Sequence, residues 1–197
     1  MLDRALAAPK DDISTHAKLL TQAAERFRQV GDLVEAERLL NEVKRHFEKL
    51  GYMRERAVTL GKIADILQAR GEFDEALRIR REEVLPISQQ MGEIHNFAYM
   101  LYRCAMLRTK RGVYDQEDLK IVGDESAESF AISRHLGQAD FLAEVGFYFG
   151  QLLAASSNRE AALTVLDEAA AAAEKLRWQN RVVAIRQLQE QIRASGG

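Results

Sequence analysis

The chain has 197 residues, 28 of them basic and 30 acidic, for a formal net charge of -2. So even a balance supplies no field that would draw in nucleic acid or an anionic membrane. Hydrophobic residues make up 47%, enough to build a core, and the lone Cys104 excludes an intrachain disulfide or a multi-cysteine metal site.

Only two prolines, Pro9 and Pro86, interrupt a chain rich in alanine, leucine, glutamate, arginine and glutamine. All five are good helix formers, so an all-α protein is expected. Met1 to Lys10 lacks the apolar centre of a signal peptide, and no apolar run reaches the roughly 18 residues of a membrane span. A cytoplasmic location follows as the expectation.

Residues 1–12 carry no periodic pattern and read as a flexible N-terminus. Over 13–30, Ile13, Ala17, Leu20, Ala24 and Phe27 recur at three-or-four spacing, one face of a helix. Gly31-Asp32 turns the chain. Residues 33–50 return as a second helix with Ala36, Leu39, Leu40, Val43 and Phe47 on one stripe, and Gly51 stands where a helix end wants positive φ. Residues 52–70 repeat the first helix with Ala57, Leu60, Ile63, Ala64 and Leu67. Residues 73–91 repeat the second with Ala76, Leu77, Val84 and Ile87. Pro86 lies inside it and predicts a kink or an early end.

Two phrases keep step at a period of about forty residues. Val-Gly-Asp-Leu-Val-Glu-Ala-Glu at 30–37 returns as Arg-Gly-Glu-Phe-Asp-Glu-Ala-Leu at 70–77, and Leu50-Gly51 returns as Met91-Gly92 and Leu136-Gly137. Such self-similarity indicates stacked helical hairpins. Residues 93–111 form the next helix, with Phe97, Leu101, Cys104, Ala105 and Leu107 inward. The Gly92–Gly137 interval then exceeds the Gly51–Gly92 interval by about four residues. This predicts an insertion in the turn at 113–123, the most mobile internal segment. A helix resumes near Asp124, capped by Asp124 or Ser126. Residues 138–155 and 159–176 make a fourth pair, broken at Ser156-Ser157-Asn158, with small residues at Ala169–Ala173 for close helix approach. A last helix over 178–194 is apolar at Val182, Ile185, Leu188 and Ile192 and polar opposite, as a terminal cap must be. Ser195-Gly196-Gly197 suits a linker to further sequence. The organisation is thus 13–51, 52–92, 93–137 and 138–176, with a capping helix and short tail at 177–197.

At Leu60, Ile63, Ala64, Leu67, Gly71, Phe73 and Ala76 the second hairpin resembles a tetratricopeptide repeat (TPR). The first hairpin matches at Leu20, Ala23, Ala24, Phe27, Gly31, Leu33 and Ala36. The third matches at Leu101, Cys104, Ala105, Gly112 and Tyr114, but puts Arg108 at a leucine position and Glu117 at an alanine position. The fourth matches at Phe149, Gly150, Leu153 and Ala162, with Ser157 for the turn glycine, Arg159 for the turn aromatic and Gly146 for the first apolar residue. The long period is similar to the TPRs of kinesin light chains, Pins-type scaffolds and Rap-type and MalT-type sensors. The resemblance implies a right-handed helical-hairpin solenoid of four repeats plus a capping helix.

It also implies a concave face lined by the first helix of each pair. Carried across, that face offers Lys18, Thr21, Gln22, Glu25 and Arg28, then Lys62, Asp65 and Gln68 over the open floor at Gly61. Tyr99, Tyr102, Arg103 and Met106 follow, then Glu144, Phe147, Tyr148 and Gln151. Aromatic and arginine side chains dominate binding hot spots, so the second half is the expected anchor and the first half the steering rim.

Other patterns carry less. His16, His46, His95 and His135 read as scattered surface residues without a metal partner, and Cys104 as a buried inert thiol. Glu82-Glu83 beside Arg78, Arg80 and Arg81 reads as a solvated helix face. No glycine-rich phosphate loop occurs, and the arginines of the last helix read as a polar cap face. No catalytic constellation, metal or cofactor is expected. The leading expectation is a protein-protein interaction scaffold or adaptor that binds a peptide or helix of a partner. The alternative is a ligand- or peptide-sensing regulatory module of a signalling or transcription system. Homo-oligomerisation stays open.

Overall fold

The computed structural model describes residues 10–112 and 115–195, with side chains from residue 14 onward. Residues 1–9, Val113, Tyr114, Gly196 and Gly197 lie outside the described residues. With them go most of the expected flexible N-terminus at 1–12, the turn aromatic of the third repeat and the end of the tail. Among the described residues every regular element is helical. They are α1 (Lys10–Gln29), α2 (Leu33–Leu50), α3 (Met53–Ala69), α4 (residues 73–90), α5 (Ile94–Arg111), α6 (Gln116–Leu136), α7 (Ala139–Ala155), α8 (Arg159–Lys175) and α9 (Gln179–Ala194). They fall into two compact units, Met1–Glu93 with α1 to α4 and Ile94–Gly197 with α5 to α9. Within each unit, consecutive helices joined by short turns pack against one another.

One device ends most of these helices. The Tyr52 N–H donates to the Phe47 carbonyl at 3.0 Å while the Gly51 N–H donates to Glu48 at 3.2 Å. This is the Schellman arrangement, which satisfies carbonyls that a helix end leaves without partners. The same long bond runs from Glu72 to Leu67, Glu93 to Ser88, Asn158 to Leu153 and Trp178 to Ala173. In the first three of these five ends the residue with positive φ is a glycine. In the last two it is Ser157 at 62° and Arg177 at 58°. The recurring Leu-Gly and Met-Gly phrases are therefore helix caps.

Pro86 does not end its helix early. α4 joins α-helical Phe73–Arg78 and Leu85–Gln90 through a π-helical turn, Ile79–Val84. The Leu85 N–H donates to Arg80, five residues back. Pro86 has no N–H and crowds the carbonyl four residues behind it. The wider turn just upstream loosens that stretch, and the helix continues to Gln90. The same segment turns Arg80 inward, where it is 1% exposed and its Nη2 meets Asp65 Oδ1 at 2.6 Å. The reading of residues 78–83 as one solvated face is corrected at Arg80.

The third repeat also differs from expectation. The segment at 116–123 is helix, and α6 begins at Gln116, well before Asp124. Asp115 is its cap, and its carboxylate accepts from the Asp118 N–H at 2.7 Å. The acidic run 115–118 is the chemistry of a helix start, where carboxylates meet free N–H groups and the positive end of the helix dipole. At 116–123 the extra residues lengthen the helix, and Val113 and Tyr114 of the expected turn lie outside the described residues. Arg108, the departure at a leucine position, explains the pairing. Its Nη1 meets Asp118 Oδ1 at 2.8 Å, Arg111 Nη2 meets Asp118 Oδ2 at 2.5 Å, and Arg108 Nε lies 3.8 Å from Glu125 Oε2. An ion-paired cluster between α5 and α6 stands where other repeats place an apolar contact.

The helix crossings sit at small residues, as the register requires. Ala64 and Ala76 are fully buried. In the second unit Gly146 and Gly150 do the same for α7 and α8. A Cβ on Gly146 would come within 2.9 Å of Ala169 Cβ, and one on Gly150 within 2.6 Å of Leu166. The close approach expected of the alanine run on α8 is present, with glycines on the facing helix.

Candidate partner-binding surfaces

In the first unit, α1 and α3 form the two walls of a groove of about 580 Å³. Ser14, Lys18, Thr21 and Gln22 line one wall, and Arg54, Glu55, Val58, Thr59 and Lys62 the other. Phe47 and Tyr52, from the end of α2 and the turn after it, close the floor. These two rings lie 6.3 Å apart, and Phe47 is held in a small core with Ala17 and Val43. The walls are helical, so their spacing is set by backbone. Two wall hydroxyls are turned onto their own helices, with Thr21 donating to Ala17 and Thr59 to Glu55, both at 2.8 Å.

The groove is apolar below and cationic at the rim. Val58 is 55% exposed there. Among the described residues, neither the Lys18 nor the Lys62 ammonium forms an ion pair. Arg54 pairs with Glu93 at 2.7 Å. Further along the same face Arg28 and Glu25 form an ion pair at 2.6 Å. Hydrogen bonding from Arg28 holds the Glu25 carboxyl below its usual range, with Lys62 adding a smaller pull. Asp65 is engaged by Arg80 from behind, and Gln68 is half-buried. Of the residues expected on this face, Lys18, Thr21, Gln22 and Lys62 come together in one groove, whereas Glu25, Arg28, Asp65 and Gln68 lie outside its lining. Phe47 and Tyr52 were not anticipated, because the carried-over pattern counts only first-helix positions, whereas Val58 stands two residues before Leu60, where Lys18 and Tyr99 stand in their own repeats.

The second unit treats its aromatic residues differently. Tyr102 is only 9% exposed and packs with Ala98, Phe130, Phe141, Val145 and Val165. It is a core side chain, and its placement on an open surface is corrected. Its ring meets Tyr148 edge-on with centroids 5.5 Å apart, and Tyr99 lies 6.1 Å from Phe141. Tyr99, Met106 and Tyr148 are half-buried against the same cluster. The Tyr99 hydroxyl accepts from Arg103 Nη1 at 2.8 Å, and the Tyr148 and Thr109 hydroxyls share a hydrogen bond at 2.6 Å. Burial, the largest influence, pushes the Tyr102 phenol up to about 12, with Glu144 adding to it. Phe147 belongs to a separate cluster under α9, where the Arg181 guanidinium lies 4.9 Å over its ring. Gln151 is exposed. The structure thus brings Tyr99, Tyr102, Arg103, Met106 and Tyr148 together, mainly to pack α5 against α7.

No protein-family model matches the chain, and no curated protein is similar to it in sequence. Solved structures are similar in fold. A Rap protein complexed with Competence and Sporulation Factor superposes with a TM-score of 0.77 at 17% identity, over 96% of this chain and 51% of that one. The TPR-like repeats of a putative kinesin light chain from Podospora anserina give 0.66 at 18% identity, over 91% and 94%. BtubC from P. vanneervenii gives 0.68 at 16%, over 93% and 82%. The fold is TPR-like. This TPR-like chain spans about half the length of the Rap protein. Among its described residues no helix is long and apolar enough to cross a membrane.

Proposed function

We propose that this TPR-like chain is a protein-interaction module, not an enzyme, and that the groove between α1 and α3 receives a peptide or helix of a partner. The observation that carries this is the groove itself, about 580 Å³ with an apolar floor of Phe47 and Tyr52, exposed Val58 and the cations Lys18 and Lys62, which form no ion pair among the described residues. An amphipathic helix lays its apolar face into such a groove, and acidic residues flanking that face would meet the lysines. Binding moves from the aromatic half to the polar half because the aromatic rings already serve as packing. The fold likeness to a Rap protein complexed with Competence and Sporulation Factor favours a receptor of this kind, scaffold or sensor, over a passive building block.

The test is a fluorescence-anisotropy screen of acidic amphipathic peptides against the full chain, repeated with Val58→Glu and with Lys18→Ala, Lys62→Ala. Val58→Glu should weaken a binder by roughly 1–2 kcal/mol with circular dichroism unchanged. The lysine pair should lower the on-rate and flatten the salt dependence. Peptides that ignore all three substitutions but lose binding to Tyr99→Ala would return the site to the second unit.

A further inference from the structure

The first hairpin holds a cluster that the partner-binding reading does not use. His16 on α1 faces Glu42 and His46 on α2, and one ligand atom from each lies within 4.8 Å of the others. The two imidazoles meet edge-to-face with centroids 5.8 Å apart, and His46 Nε2 stands 3.9 Å from Glu42 Oε1. Glu42 and His46 are four residues apart, so one turn of α2 presents both on the same side. The view of the histidines as scattered is corrected: His46 has a carboxylate one turn away and a second histidine across the hairpin.

The geometry points to a divalent transition-metal site of the zinc class at His16, Glu42 and His46. Two imidazoles and a carboxylate are a donor set used by zinc with a fourth, exchangeable position for water. In a tetrahedral zinc site with bonds near 2.0–2.1 Å, ligand atoms stand roughly 3.4 Å apart. The observed separations reach up to 4.8 Å, wider by as much as about 1.4 Å, and the exposed His16 and half-buried Glu42 can close the gap by side-chain rotation. Closure has one competitor, since Arg38 Nη1 approaches Glu42 at 3.5 Å. Partial burial lowers the His46 pKa, with Glu42 pulling the other way. Magnesium and calcium favour all-oxygen sites and are excluded by the two imidazoles. A metal here ties α1 to α2, and α1 is a wall of the groove that carries Lys18, Thr21 and Gln22. The site therefore sets the rigidity of that wall whether or not a peptide is the groove's ligand.

The experiment uses the full chain and Zn²⁺ alone, followed by titration calorimetry, with Co²⁺ absorption to report the coordination number. One Zn²⁺ per chain is expected, with a Zn²⁺-dependent rise in melting temperature. His16→Ala, His46→Ala and Glu42→Gln should each weaken binding by at least about tenfold, the scale on which even supporting residues of metal sites act. Cys104→Ser and the His95→Ala, His135→Ala double variant should change nothing. Because His16 is exposed, His16→Ala retains the fold and carries the decision even if a substitution on α2 perturbs it. Absence of stoichiometric Zn²⁺ binding overturns the site, as does binding that survives His16→Ala, His46→Ala unchanged.

Discussion

The two units solve the same packing problem in opposite ways. In the first, the repeat pattern is regular, the turns use glycine, and the first-helix walls stand apart over a groove. In the second, the pattern is degenerate and the space is filled. Arg108 takes a leucine position and pairs with Asp118, two glycines bring α7 onto α8, and Tyr99, Tyr102 and Tyr148 pack α5 against α7. Two departures from the repeat pattern are thus concerted: Arg108 is matched by Asp118 on α6, and Gly146 by Ala169 on α8. A groove survives where the pattern is kept, because the residues outside it are not needed for packing.

That contrast can be broken most sharply at the crossings. Ala76→Leu and Ala162→Leu occupy equivalent positions in the two units, and both alanines are fully buried. Each should destabilise its unit by up to about 3 kcal/mol through overpacking, read as a lower denaturation midpoint. An unchanged midpoint for either would show that the units do not share a register. Glycine substitutions come next and should differ in sign. Gly150→Ala places a Cβ 2.6 Å from Leu166 and should cost about 2 kcal/mol. Gly61→Ala meets nothing within 4 Å and should stabilise α3 by up to about 1 kcal/mol, because alanine is the better helix former. Two losses, or two gains, would dissolve the distinction between an open first unit and a filled second.

The turns give a smaller effect. Ser157 and Arg177 hold positive φ without being glycine. Ser157→Gly should therefore raise stability by about 0.5–1 kcal/mol, whereas Gly71→Ala should lower it by about 1 kcal/mol. A separate effect appears only at alkaline pH. The folded phenol of Tyr102 titrates at about 12 against an ordinary 10.0. A pKa raised by folding contributes stability that is whole below pH 10 and lost as pH rises through 12. Tyrosinate absorbance should show one late-ionising group that vanishes in Tyr102→Phe.

The all-α hairpin organisation could be read directly, because glycine caps and inward alanines are local signals whose meaning does not depend on partners. Ala64, Ala76 and the caps at Gly51, Gly71 and Gly92 fall where periodicity puts them. What escaped notice depended on neighbours. Asp115 resembles any acidic loop residue until its carboxylate is seen to take the Asp118 N–H. Arg80 resembles its exposed neighbours until the π-helical turn rotates it inward. Tyr102 looks like an anchor until Phe141 and Tyr148 close over it. The groove was half legible, since Lys18, Thr21, Gln22 and Lys62 follow from helix phase while Phe47 and Tyr52 arrive from the next helix. The Glu42–His46 spacing was present in the sequence, and His16 joins it only through the hairpin.

The π-helical turn in α4 also sets how this chain tolerates changes in length. A helix advances about 100° per residue, so one inserted residue swings everything downstream to another face. At Ile79–Val84 the ladder has absorbed such a step, leaving Ile87 and Ser88 facing the core. Deleting one residue from this turn would therefore tighten the ladder to a regular α-helix and leave Ile87 and Ser88 facing the interior. The cost would fall on Arg80, which the wider turn carries inward, and on Pro86, whose ring would meet a tighter ladder. The segment that looks least regular is therefore the one where the helix can lose a residue without turning its downstream face.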